Sequence, residues 1–283
     1  MSMSNERIAL LCEGIFDSHA HYFDRRFAEE TEGADAILSQ EVFGRGVAGV
    51  INVGTNNKNN RICIAQAAQW PNMYAAVGLH PEDVHFGCGT LDDELSDLRL
   101  LLGTKETRKQ NKIVALGEIG LDYHVENVKK ERQAAFFEAQ LCLAEELDIP
   151  VIIHDREAHG DCFETVLRHP NVRGVFHSYS GSAEMAHELV RRGWYISFSG
   201  VLTFKNARKT LEVAKSLPHD RILVETDAPY LAPVPFRGRI NHSGLVCYTI
   251  ATLAELLGLS YEETVALTAR NARTLFRIDE EKA

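Results

Sequence analysis

Gly14-Ile15-Phe16-Asp17-Ser18-His19-Ala20-His21 sets an apolar run directly against two imidazoles and a carboxylate. Side chains on a strand alternate faces with a period of two. Asp17, His19 and His21 therefore point the same way and converge where the strand ends. Imidazole and carboxylate are the donors that Zn²⁺, Mn²⁺ and Fe²⁺ accept, and reactive sites built on them keep a position open for water. A solvated polar strand end is the plain alternative for one such stretch. The pattern recurs downstream, each time just past another apolar run, and this recurrence favours a metal site.

Short β-branched runs fall at Gly14–Asp17, Gly46–Val53, Tyr74–Leu79, Lys112–Gly117, Pro150–His154, Val172–His177, Trp194–Ser199 and Arg221–Glu225. Helical apolar spacing separates them at Asn59–Gln69, Leu91–Leu102, Lys129–Leu147, Cys162–Leu167, Ala183–Arg191 and Ala207–Ser216. Alternating strands and helices with almost wholly apolar strands signal a parallel sheet covered on both faces. Eight strands is the number that closes a (β/α)8 TIM barrel. Two extra C-terminal helices are expected over Ser243–Leu257 and Tyr261–Phe276. No linker or change of composition divides the chain, so residues 1–283 read as one α/β domain, a size that such barrels reach.

The 283 residues are 45% hydrophobic and 25% charged, ordinary for a chain that buries a sizeable core. A formal net charge of −10 argues against a broad basic face for duplex DNA or a polybasic membrane surface. Cys12, Cys63, Cys88, Cys142, Cys162 and Cys247 form no C-x-x-C pair, which fits reduced thiols in a cytoplasmic protein. The apolar run Ile8–Cys12 is too short for a signal peptide, and no membrane association is expected.

The polar residues at the strand ends are His19 and His21 after strand one, His80 after three, Glu118 after four, His154 after five, His177 after six and Asp227 after eight. In a barrel these ends share one face, where active sites are built, and the first and last strands become neighbours. His19, His21, Glu118 and Asp227 suit one divalent ion. His154 and His177, sharing Glu118, suit a second about 3.5–4 Å away, the spacing of two-metal hydrolytic sites. Asp227 is placed to accept a proton from water or to orient it. Asp17 reads as a support for these ligands or as a weak ligand itself.

Six blocks now fall into the order of a known family: Asp17-Ser-His-Ala-His21, Gly78-Leu-His-Pro81, Gly117-Glu-Ile-Gly-Leu-Asp-Tyr123, Pro150-Val-Ile-Ile-His154, Phe176-His-Ser-Tyr-Ser-Gly181 and Glu225-Thr-Asp-Ala-Pro-Tyr-Leu231. Together they resemble the TatD family of metal-dependent deoxyribonucleases, from about Ile15 to Phe276. The resemblance implies a TIM-barrel hydrolase of the amidohydrolase-like type with 3′–5′ exonuclease activity. It also implies two divalent ions (Mg, Mn or Zn) held by His19, His21, Glu118, His154, His177 and Asp227, with Glu118 and Asp227 serving catalysis. The chain departs from the family at Arg237-Gly-Arg-Ile-Asn-His-Ser243, where Arg-Gly-Lys-Arg-Asn-Glu-Pro is common, and at Ser178-Tyr179 after the sixth strand. Both departures touch the rim rather than the ligands.

His80, His124, Arg156, Lys205, Arg237 and Arg239 are candidates for contacting substrate, since a guanidinium fork or an ammonium suits a phosphate. A structural turn at His80-Pro81 and solvated surface charges are the alternatives. His85, His159, His169, His187, His219 and His242 read as surface or helix residues. Gly44-Arg-Gly-Val-Ala-Gly49 matches a dinucleotide pattern but opens a strand instead of a helix.

The expected substrate is DNA, single-stranded or at strand ends, with no obligate protein partner. An amidohydrolase for small amides, lactones or esters is the enzymatic alternative. Many such relatives bridge their metals with a carboxylated lysine, whereas Glu118 holds that position here. A non-catalytic metal-bound scaffold is the third possibility.

Overall fold

The structure, a computed structural model, describes residues 11–87 and 89–278. Cys88 and the first three residues of the Ile8–Cys12 run lie outside the described residues. Eight strands are hydrogen-bonded in chain order: β1 (Phe16–Ala20), β2 (Gly49–Val53), β3 (Met73–Val77), β4 (Ile113–Asp122), β5 (Val151–Arg156), β6 (Gly174–Phe176), β7 (Tyr195–Phe198) and β8 (Ile222–Val224). A parallel bridge between Ala20 and Ala228 joins the end of β1 to the segment after β8. This is the (β/α)8 barrel that the alternating pattern predicts. No single described helix is long and apolar enough to cross a membrane.

Two compact units make up the chain. The first comprises residues up to Ile51, Ser178–Arg191 and Tyr195 onward; the second comprises Asn52–His177 and Arg192–Trp194. In the second unit β4 pairs with β3 through Ala76–Ala115 and Val77–Leu116, and with β5 through Ile119–Ile153, Gly120–His154 and Asp122–Arg156. In the first unit β7 pairs with β8 through Ser197–Leu223 and Phe198–Val224.

Local chemistry sets the helix ends. Asn56 caps Asn57–Gln69 by accepting from the Asn59 N–H, and Thr90 caps Leu91–Leu102 in the same way. Ser260 and Glu263 form a reciprocal capping box on Tyr261–Leu275. Both extra C-terminal helices are present, Val246–Leu257 preceded by a short 3₁₀ turn at Ser243–Leu245. The helices Arg25–Glu30, Ala34–Ile37, Pro81–Phe86 and Lys105–Gln110 are too short to show an apolar period and are not legible in the sequence. Gly49 opens β2, so the glycine-rich stretch before it does open a strand.

Three strands run on past their expected ends, among them β5, which continues two residues beyond His154 to Arg156. β1 runs on to Ala20, so His19 lies within it. β4 runs past Gly117 to Asp122, so Glu118 lies inside the strand and not beyond it. Glycine reads as punctuation, but here it serves close approach. A Cβ on Gly78 would lie 2.6 Å from the Gly117 carbonyl carbon, and one on Gly120 would lie 1.9 Å from the His154 carbonyl oxygen. Gly120 also has φ +145°, outside the range that L side chains adopt easily.

Three buried amides hold the irregular ends of β3 and β4. Asn60 bonds both the N–H and the carbonyl of Gly78. Gln140 does the same for Leu79, and Gln133 for Asp122. Gln133 and Gln140 stand seven apart, two turns of one helix face of Lys130–Leu147. Buried backbone groups left unpaired are costly, so these contacts fix the turns that carry His80 and Asp122.

Two substitutions test this arrangement. Gly120→Ala should destabilise the protein by about 1–3 kcal/mol through overpacking. Gln133→Leu should do so by a similar amount, about 1–3 kcal/mol, through two orphaned backbone groups. Denaturant unfolding measures both, and wild-type stability in either variant would refute the corresponding contact.

Candidate metal centre

In the first unit, β1 and the segment after β8 bring His19, His21 and Asp227 together. The Nε2 atoms of His19 and His21 are 3.0 Å apart. Asp227 Oδ1 lies 3.3 Å from His21 Nε2 and 3.7 Å from His19 Nε2. The backbone aligns them: the Asp227 N–H donates to the His19 carbonyl at 2.9 Å, and the His21 N–H to the Ala228 carbonyl at 2.7 Å. Asp227 has φ +59°, a left-handed conformation that aspartate tolerates better than bulkier residues. Neighbouring first and last strands therefore do bring residues 19 and 227 into one group.

Asp17 supports this group instead of joining it. Its Oδ1 accepts from the N–H groups of His19 and Thr226 at 3.2 and 3.0 Å, and its Oδ2 from the Thr226 hydroxyl at 2.6 Å. Burial pushes the Asp17 carboxyl up to about 7 in spite of these bonds. Asn241, in the departing loop, donates to the carbonyls of Thr226 and Tyr230 at 2.9 and 2.7 Å and so clamps both sides of Asp227. The buried Glu225 accepts from the Ser178 N–H at 2.8 Å.

In the second unit, β4, β5 and β6 assemble Glu118, His154 and His177. Glu118 Oε1 lies 2.7 Å from His154 Nδ1 and 2.6 Å from His177 Nε2, and the two nitrogens are 3.2 Å apart. His154 is held from behind, its Nε2 lying 3.0 Å from Asp122 Oδ2. Glu118 and Asp122 lie on one face of β4, with the side-chain-free Gly120 between them and in register with His154. Burial alone would lower the His154 pKa. The hydrogen bonds to Asp122 and Glu118 outweigh it and raise the imidazole to about 9.

His80 takes two roles. Its Nδ1 caps Pro81–Phe86 by accepting from the Glu82 N–H at 3.2 Å, with Pro81 in the first turn. Its Nε2 lies 3.6 Å from Glu118 Oε1, and its ring packs edge-on to His154 at 4.4 Å between centroids. One ligand atom each from His80, Glu118 and His154 lies within 4.8 Å of the others.

The remaining substrate candidates lie at the strand ends of their own units. His124 is exposed and paired with Glu157 at 2.9 Å, and its N–H donates to Asp122 Oδ1 at 2.8 Å. Arg156 ends β5, exposed, and its charge favours the ionised form of Asp122. In the first unit, Lys205 is exposed beside Phe204, on whose ring the Arg237 guanidinium rests at 4.2 Å. The Arg239 guanidinium lies 5.9 Å from the Phe236 ring centroid. One histidine read as a surface or helix residue is neither: His169 is buried beyond its helix with Nε2 3.0 Å from Glu138. His242 is half-buried, and desolvation lowers its pKa to about 4.

Sequence reasoning gave no role to Asp122, although it lies four residues after Glu118. Even spacing along one strand face is the signal that finds it. Nor did it weigh Thr226, Asn241 or the buried glutamines.

Both groups fit a divalent cation. Imidazole nitrogens that face each other and a carboxylate oxygen at 2.6–3.3 Å gain from an ion more than from one another. The Asp122–His154 contact is the carboxylate–histidine pair that fixes a ligand's orientation and basicity. Such a barrel, with these groups at its strand ends, defines a metal-dependent hydrolase.

The comparisons agree. A family profile described as TatD related DNase matches residues 16–277. The uncharacterized metal-dependent hydrolase YabD of Bacillus subtilis is 38% identical over 268 residues, which cover 94% of this chain and 100% of that protein. The crystal structure of YJJV, a TatD homologue from Escherichia coli, superposes with a TM-score of 0.84 at 32% identity, covering 94% of this chain and 99% of that one. A TatD family hydrolase from Entamoeba histolytica shares the fold at a TM-score of 0.77 and 20% identity, over 93% of this chain and 98% of that one. The chain belongs to the TatD family.

Asp122→Asn should weaken divalent-ion binding about 10–100-fold by loosening the orientation of His154, with every candidate ligand side chain retained. Calorimetric titration of the metal-free protein with Mn²⁺ measures this, and an unchanged affinity would remove Asp122 from the account.

Proposed function

We propose that this chain is a deoxyribonuclease that hydrolyses phosphodiester bonds from the 3′ end of accessible DNA strands. The observation that carries the reading is the pair of ligand groups. His19, His21 and Asp227 would hold one ion, and Glu118, His154 and His177 the other, in a chain of the TatD related DNase family. When bound, divalent ions acidify water and offset the charge that gathers on phosphoryl oxygens.

The chain's own residues do the rest. Asp227, with 17% of its side chain exposed, is the base that accepts the proton of the attacking water. Glu118, nearly enclosed by imidazoles, is a ligand and fixes orientation. Arg156, Lys205, Arg237 and Arg239 supply positive charge for the sugar–phosphate backbone, with the guanidiniums of Arg237 and Arg239 over the rings of Phe204 and Phe236. A net charge of −10 favours grip at a strand end over broad contact with a duplex. Free thiols at the described cysteines fit a cytoplasmic setting.

End-labelled single-stranded DNA, bis-p-nitrophenyl phosphate and a panel of small amides and lactones, each with Mg²⁺, Mn²⁺ or Zn²⁺, test the reading. Stepwise shortening from the 3′ end is expected, and Asp227→Asn or Glu118→Gln should reduce it at least about 10²–10³-fold. Turnover of amides or lactones with DNA left intact would overturn it.

A further inference from the structure

A second reactive cluster lies in the first unit, apart from the ligand groups. Cys12 stands in the segment that enters β1, and Cys247 in the first turn of Val246–Leu257. Both are fully buried, and both sulfurs donate to one acceptor, the Gly244 carbonyl oxygen, at 3.3 and 3.2 Å. Sharing one acceptor places the two sulfurs side by side, and the Arg45 charge favours the ionised form of Cys12. Arg45 is held in turn by Glu41 at 3.4 Å. A buried thiol acting only as a small apolar filler needs neither a second thiol nor a cation.

We propose that Cys12 and Cys247 are a disulfide-forming pair, oxidised by hydrogen peroxide, which ties the entry of β1 to the first turn of the Val246–Leu257 helix. Closeness of the two side chains is the geometric requirement for such a bond, and the shared Gly244 carbonyl supplies it. The Cys12 thiolate attacks one peroxide oxygen; the O–O bond breaks, hydroxide leaves and takes up a proton, and Cys12 becomes a sulfenic acid. The Cys247 sulfur then attacks the Cys12 sulfur. The S–S bond forms, the S–O bond breaks and water departs, so two thiols and one peroxide give one disulfide and two waters.

The environments set the order of attack. Cys12 is held down at about 6 against burial, by its neighbour Cys247 first and then by the Arg45 charge, while Cys247 is held up by Cys12 and by burial. Burial pushes Cys63 and Cys162 up, away from the reactive thiolate form. A disulfide in an otherwise thiol-bearing chain is the kind that senses oxidant. Closing so long a loop stabilises the folded protein.

The metal-loaded protein is treated with hydrogen peroxide, quenched with an alkylating agent and mapped by mass spectrometry without reduction. A linked Cys12–Cys247 peptide, loss of two titratable thiols and a higher melting temperature reversed by dithiothreitol are expected. In Cys247→Ser, Cys12 should be trapped by dimedone as the sulfenic acid. Free Cys12 and Cys247 after a dose that oxidises the exposed Cys142 would overturn the proposal, as would pairing with another cysteine. A Cys247→Ser protein without the dimedone adduct at Cys12 would overturn the order of attack.

Discussion

Carboxylates and imidazoles buried together at strand ends need positive charge, and this need organises everything around them. Glu118 is 2% exposed and lies against His154, His177 and His80. Taking an ionised carboxylate out of water is expensive unless it is paired and hydrogen-bonded. In the metal-free protein a proton on His154 meets the demand, which is why its pKa is raised against burial. A divalent ion meets it better, because it satisfies a carboxylate and two neutral imidazoles at once. Asp227 plays the corresponding part beside His19 and His21, with more exposure to solvent.

Holding such groups in place takes more than the ligands. A parallel barrel strand ends in irregular backbone, whose N–H and carbonyl groups have no neighbour in the ladder. Asn60, Gln133 and Gln140 satisfy these groups around β3 and β4, and Asp17, Thr226 and Asn241 do so around β1 and β8. Gly78, Gly117 and Gly120 let the strands of the second unit approach closely enough for Glu118 and Asp122 to flank one imidazole. The rim is built differently: its cations rest on aromatic rings of loops, and there this chain departs from the usual family pattern.

The barrel was legible in the sequence because short, mostly apolar β-branched runs alternate with helix-length segments along the whole chain. The residues of the two candidate groups were legible because period-two spacing at Asp17, His19 and His21 and the apolar run before each later histidine are local signals. Asp122 was not, because Gly117 reads as the end of a strand that in fact continues five residues past it. Gln133 and Gln140 were hidden because a buried glutamine on an amphipathic helix resembles an exposed one until the backbone it serves is known. The two roles of His80 could not be separated in one dimension, since capping uses one ring nitrogen and leaves the other to face Glu118.

The most direct measurement of the central claim is the number of ions that the folded protein holds. Metal-free protein equilibrated with Mn²⁺, freed of excess and analysed for elemental content should carry two ions per chain. Changing both His19 and His21 to alanine should leave one, and changing both His154 and His177 should also leave one, with folding retained by circular dichroism. Folded wild-type protein that retains no ion, or paired variants that keep the full complement, would contradict the account.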